Sequence, residues 1–302
     1  MKKNFVLLMA VLLMASCSEQ SLIDDYVTEM QSVEKQQETP MTNLYESNIT
    51  KARWGDANAY IQLAKCYHDG IGVKADFMGT VTMLMMADQF GEKKGMDKFL
   101  DSLPDDDNMK MTFKAIEQVD RRGYARGDSI ADILISNGFS DGYSIRGILQ
   151  VEQGDTLGGY QSIQEGVERG STFGELLLCA FPTKGEQTDN VFKLEKMKEY
   201  ADIIPLAGML IGDIYSGYDD GKEVDAGLAA QYYQKADRLG VLGRRQARWL
   251  LSYYEREGVQ VDAQEIERLN TVAGYKLADG KLEYNHEAQC DSVCTDSICA
   301  LD

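Results

Sequence analysis

Apolar residues in the body of the chain recur at the period of an α-helix. Tyr60, Leu63, Ala64 and Tyr67 fall at i, i+3, i+4 and i+7, which puts them on one helical face. Ala207, Leu210, Ile211 and Ile214 repeat those offsets, as do Ala247, Leu250, Leu251 and Tyr254. The pattern predicts helices near 56–69, 76–90, 108–121, 127–137, 140–152, 156–169, 172–180, 190–203, 205–216, 225–239, 243–256 and 262–278. Asp56, Asp76, Asp155 and Asp225 stand where helices begin, and a carboxylate there can accept from free amides. Gly91, Gly170 and Gly240 stand where helices must stop, and Gly takes the left-handed cap without a steric cost. Pro is scarce, at 4 residues, and Pro205 suits a first helical turn. The expectation is an all-α protein.

The helices also repeat in register. Counting back from Gly91, Gly170 and Gly240, an Asp lies fifteen residues earlier each time, at 76, 155 and 225. A small residue lies four earlier, as Ala87, Gly166 and Ala236. Each unit is a helix pair with one apolar side, so pairs must stack to close a core. The stretch GDANAYIQLAKCYHDGIGVKAD, followed by a helix ending in MADQFG, resembles the Sel-one-like repeat, a relative of the tetratricopeptide repeats. The match runs over 54–91, over 204–256 and, less fully, over 138–174. Residues 92–137 and 175–203 are helical in pattern but degenerate. The resemblance implies an alpha-alpha superhelix, a solenoid of antiparallel helix pairs, serving as a protein-interaction adaptor.

Residues 1–20 carry Lys2 and Lys3, then an apolar run from Phe5 to Ala15 that is too short to span a bilayer. Met14-Ala15-Ser16-Cys17 resembles the lipobox of bacterial lipoproteins, which implies cleavage before Cys17 and acylation of that residue (palmitate among the chains). Several acyl chains anchor a protein stably where one does not. The expected organisation is a signal peptide over 1–16, a tether over 17–53 with room for a short helix, a repeat domain over 54–280, and a Cys-rich tail over 281–302. Localisation follows as the cell envelope. Ser18 after Cys17 favours the outer membrane by analogy with enteric lipoprotein sorting.

Charge narrows the partner class. With 31 Lys+Arg against 49 Asp+Glu the net charge is −18, a sign that repels nucleic acid and anionic lipid. Another protein is the expected partner, with the membrane reached only through Cys17 and no small-molecule substrate or cofactor expected.

Motifs for chemistry are few. Gly138-Phe139-Ser140-Asp141-Gly142 matches the nucleophile-elbow pattern, which requires a strand before the Ser and a helix after it. The same residues also fit a helix boundary, with Ser140 or Asp141 as the cap. Only His68 and His286 are available for imidazole chemistry, and His68 fits a helix end where it would meet free carbonyls. Asp105-Asp106-Asp107 lacks the spacing of a calcium loop and reads as loop or cap. Arg126-Gly127-Asp128 reads as a chance tripeptide at a helix start.

In the tail, His286, Cys290, Cys294 and Cys299 allow a local disulfide, free thiols or a metal site. A metal- or redox-responsive module and an envelope hydrolase using Ser140 therefore stand as alternatives to the non-enzymatic adaptor. Cys66 and Cys179 read as buried small apolar groups, and Met83, Met85 and Met86 as core filling. Tyr232 and Tyr233 read as half-buried rings with wet hydroxyls.

Overall fold

The structure is a computed structural model that describes residues 40–92, 94–180, 190–217, 224–278 and 281–284. These residues form fourteen helices and one short hairpin. In chain order the helices are α1 Pro40–Ala52, α2 Ala57–Asp69, α3 Phe77–Gln89, α4 Gly95–Ser102, α5 Asn108–Asp120, α6 Tyr124–Ser136 and α7 Asp141–Glu152. Then come α8 Thr156–Glu168, α9 Thr172–Ala180, α10 Asn190–Glu199, α11 Pro205–Ser216, α12 Ala226–Arg238, α13 Arg244–Glu257 and α14 Ala263–Ala273. Strands β1 Tyr275–Ala278 and β2 Lys281–Tyr284 close the described chain as an antiparallel pair. The all-α expectation holds, with most helices within a few residues of their predicted bounds.

Cap chemistry explains those bounds. Asp56 Oδ1 accepts from the Asn58 and Ala59 amides, Asp155 Oδ1 from Gly158, and Asp225 Oδ1 from Leu228. At the other end the three repeat-closing glycines take positive φ, +112° at Gly91, +86° at Gly170 and +75° at Gly240. The residue after each glycine donates its N–H to the small residue of the repeat: Glu92 to Ala87 O at 2.9 Å, Ser171 to Gly166 O at 2.9 Å, Val241 to Ala236 O at 2.8 Å. This is the Schellman closure, and it gives the sequence register a physical meaning. Arg122, at φ +55°, makes the same closure at the end of α5 without a glycine, the Gly123 amide reaching Gln118 O at 2.8 Å.

The described residues divide into two compact units. The first holds Asp76–Met78 and Leu100–Tyr200. Here α6, α7 and α8 run antiparallel in succession. Gly142 lies against Leu134 and Ile135, and Gly127 against Leu149. In the next pair Gly147 and Gly159 face each other's carbonyls, while Gly166 abuts Ser144. Leu134, Ile145, Leu149, Ile163 and Leu177 are fully buried, which supplies the unit's apolar driving force.

The second unit holds Pro40–Ala75, Gly79–Phe99 and residues 201–284 of the described chain. Its pairs are also antiparallel: Tyr67 packs on Gly79 while Tyr60 stacks on Phe90, and Gly208 meets Ala236 while Gly212 meets Tyr233. The stacking order is not that of the chain. Gly240 touches Ala52 and Ile49 of α1, and Arg244 lies over the Phe90 ring. Helices from opposite ends of the repeat region thus share one core, with Tyr233, Leu242, Leu250 and Leu269 at its centre.

Three elements depart from the pattern. The polar tether region contributes α1, whose Tyr45 hydroxyl bonds that of Tyr67 at 2.9 Å. Residues 95–102 form α4, a short helix inside the degenerate stretch. The helix expected over 262–278 ends at Ala273, because Gly274 takes φ +88° and the chain turns into the hairpin. Among the described residues no helix is long and apolar enough to cross a membrane.

Candidate functional site

Ser140 is not a nucleophile elbow. It follows helix α6 rather than a strand and has φ −61° and ψ −33°, ordinary helical values, so the sharp strand-to-helix turn is missing. Neither does its side chain cap α7. Asp141 is turned away from its own helix as well: it accepts from the Ser171 hydroxyl and the Phe173 amide at the start of α9. The expected cap role at 140–141 therefore moves one helix pair onward. Ser171 also accepts from the Gly174 amide at 2.8 Å and bonds the Ser144 hydroxyl at 2.9 Å, while Thr172 donates to Asp76. Burial, reinforced by the negative charge of Asp76, pushes the Asp141 carboxyl up to about 7. Every polar side-chain atom buried among the described residues has a partner, so this node joins helices and holds no orphaned group aimed at a ligand.

In the second unit, Asp237 is the corresponding node. Its Oδ2 accepts from Arg53 at 2.7 Å and from Arg268 at 2.8 Å, and its Oδ1 accepts from Arg268 at 3.0 Å. Arg268 also pairs with Glu265 and donates to the Arg53 carbonyl. Burial raises the Asp237 carboxyl, and the two guanidinium groups pull against that. Asp237 lies on α12, Arg53 after α1 and Arg268 on α14, so three distant segments are held by one carboxylate.

The second unit also has a groove between α13, α14 and β1. It measures about 510 Å³ and is lined by residues including Arg248, Leu251, Tyr254, Val259, Ile266 and Tyr275. That volume is within the ~300–1,000 Å³ range of ligand-sized clefts. Tyr254 is fixed from behind by Gln234, which donates to its hydroxyl at 2.9 Å. Arg248 is fixed too, donating from Nε to Ala273 O at 3.0 Å and lying 5.9 Å from the Tyr275 ring centre. Val259 is 40% exposed. The lining is mixed, with two aromatic rings, aliphatic side chains and an anchored guanidinium beside the polar Ser252, Glu255, Gln260 and Asn270. The run RRQAR at 244–248, basic within an acidic chain, is the sequence signal that marks this helix.

Other expected sites fall as follows. Tyr233 is fully buried and its hydroxyl donates to Asp213 at 2.7 Å, so it is core rather than a wet anchor. Tyr232 stacks on Tyr215 under Lys235. His68 Nδ1 meets the Asp69 carboxylate, with the ring edge-on to Phe99. Asp107 caps α5 through the Met109 and Lys110 amides, and Asp105 pairs with Lys110 and Lys114. Arg126, Gly127 and Asp128 lie within α6. Cys66 and Cys179 are buried thiols outside any disulfide among the described residues, and Met83 and Met86 are buried with Met85 partly so. Cys17, His286, Cys290, Cys294 and Cys299 lie outside the described residues. Among the described residues no group of three His, Cys, Asp or Glu is placed to hold a metal ion.

No family model matches the chain, and no curated protein sequence matches it. Solved structures do. The Sel1 repeat protein from Oxalobacter formigenes is 20% identical, with a TM-score of 0.39, and the match covers 72% of this chain and 87% of that one. The protective antigen c5321 of uropathogenic Escherichia coli, which displays an SLR fold, is 18% identical with a TM-score of 0.36, over 72% of this chain and 54% of its own. Independently of these likenesses, three repeats share a register of Asp, small residue and Gly, each in the same closure between antiparallel helices. The fold is an all-α repeat of antiparallel helix pairs.

Proposed function

We propose that the chain is a non-enzymatic adaptor, anchored through Cys17 in a bacterial envelope, which holds another protein by an extended segment in the α13–α14 groove. The observation that carries the binding half is the groove itself, a preformed cleft whose Tyr254 and Arg248 are already locked by neighbours. A locked lining spends little entropy on binding. The anchoring half rests on Met14-Ala15-Ser16-Cys17 following a basic and apolar leader. Outer-membrane placement is part of the same reading and rests on Ser18.

The test places a photo-crosslinking residue at Ser252, an exposed position on the groove lining, in living cells. A discrete protein adduct, lost in Leu251→Glu, is the expected result. Reproducible absence of any protein adduct would overturn the binding half. Labelling with a radioactive fatty acid, lost in Cys17→Ala, tests the anchor separately.

A further inference from the structure

The start of α9 is tied into the first unit by an acid without a counter-charge. Asp141 is 5% exposed, and Ser144 and Ser171 beside it are buried as well. Its carboxyl accepts from the Ser171 hydroxyl and the Phe173 amide, Ser171 bonds Ser144 at 2.9 Å, and Thr172 donates to Asp76. The charge that acts on Asp141 across this joint is that of another carboxylate, Asp76. Helix α9 adds a further acid in its first turn, Glu175. The cations of the adjoining helices are engaged elsewhere, Arg146 of α7 with Asp132 of α6 and Arg169 after α8 with Glu165.

Proton occupancy therefore governs the joint. A neutral carboxyl keeps acceptor lone pairs for both bonds from α9. A carboxylate in the same dry place adds an unpaired charge opposite a second one. Burial, with Asp76 adding to it and the Ser171 hydroxyl opposing it, pushes the Asp141 carboxyl up to about 7. With α9 lifted, water reaches Asp141 and it ionises as an ordinary carboxyl. The closed joint thus binds the proton more tightly than the open one, and each pH unit between about 4 and 7 favours opening by up to about tenfold. Helix α9 is only 9 residues long, a size suited to local opening. It buries Phe173, Leu176, Leu177 and Cys179.

We propose that Asp141 is a proton-operated latch on α9: protonated, it holds the helix down, and proton loss lets α9 lift from α7 and uncover Phe173, Leu176, Leu177 and Cys179. The device lies in the first unit and does not depend on the groove proposed above as the binding site.

Cys179, inside α9, reports the opening. The purified full-length chain is treated between pH 5 and 8 with a dipyridyl disulfide, which labels thiols at acid pH. Labelling of each cysteine is read by peptide mass spectrometry and divided by its rate in the urea-unfolded chain at the same pH. The ratio at Cys179 should climb about fiftyfold from pH 5 to 7 and by no more than about twofold from pH 7 to 8. Cys66, buried in the second unit, should not follow. Asp141→Asn should flatten the climb, and Asp76→Asn, which removes the facing charge, should bring its plateau to lower pH. A level ratio at Cys179, or an undiminished climb in Asp141→Asn, overturns the proposal. So does a climb shared with Cys66 or with amide exchange throughout α6 and α8, since that is unfolding of a whole unit rather than release of one helix.

Discussion

At the scale of single residues, the backbone of Arg122 and the carboxyl of Asp141 are each held at a cost. Arg122 occupies φ +55° in a closure that glycines make elsewhere, and it is exposed. Arg122→Gly should raise stability by about 0.5–1 kcal/mol, read as a higher melting temperature, and a fall would show that its side chain matters more than its backbone. Asp141 is buried, with its carboxyl raised to about 7 from 3.8. Its folded form therefore binds a proton more tightly than the unfolded chain. Stability from this group is fully present below pH ~4, declines as pH rises toward 7 and is flat above, with a span on the order of 4 kcal/mol. Asp141→Asn should melt higher than the parent at pH 8 and equal it near pH 4. Equal melting at both values would refute the assignment.

At the scale of elements, close approach is set by glycines that face a neighbouring helix. A Cβ on Gly147 would lie 2.4 Å from Ile163 Cγ1 and 2.6 Å from the Gly159 carbonyl, whereas one on Gly227 would meet nothing nearer than Asp225 Oδ1 at 3.4 Å. Gly147→Ala should destabilise by roughly 1–3 kcal/mol, and Gly227→Ala should stabilise by about 0.4–1 kcal/mol, both measurable by denaturant unfolding. Elements were also the most legible level. Asp caps, closing glycines and the i, i+3, i+4 stripe are local signals, so α2, α8, α11 and α12 could be bounded from the chain alone. The hairpin had a local signal that the helical reading passed over, Asp279-Gly280 between two alternating runs. Helix α1 had none, since the apolar face of Pro40–Ala52 is weak and its burial is completed by α2, through Tyr60 and Tyr67, and by the end of α12 at Gly240.

At the scale of the molecule, those distant partners matter most. Sequence repeats suggest stacking in chain order, yet Arg53 and Arg268 converge on Asp237 across sequence separations of 184 and 31. No periodicity encodes that choice, because it depends on which apolar faces remain uncovered after each pair has formed. Asp237→Ala should cost about 3–5 kcal/mol by leaving two guanidinium groups at a buried node without their carboxylate. Loss of amide protection is expected in α1 and α14 together, and loss confined to α12 would separate the node from the packing. Of the candidate site, Leu251 and Tyr254 were legible as the apolar face of a helix over 243–256. The groove needed α14 and β1 in place to become a groove.

Joining the first and last repeats in one core also bears on how such a chain can change in evolution. Open solenoids lengthen by gaining a copy at either terminus, since the outermost surface there is ready to receive it. Here the end of α12 at Gly240 already packs against Ala52 and Ile49 of α1, so a duplicated unit inserted ahead of α2 would have to displace that packing. Natural variation in repeat number should therefore be rare at the start of the repeat region.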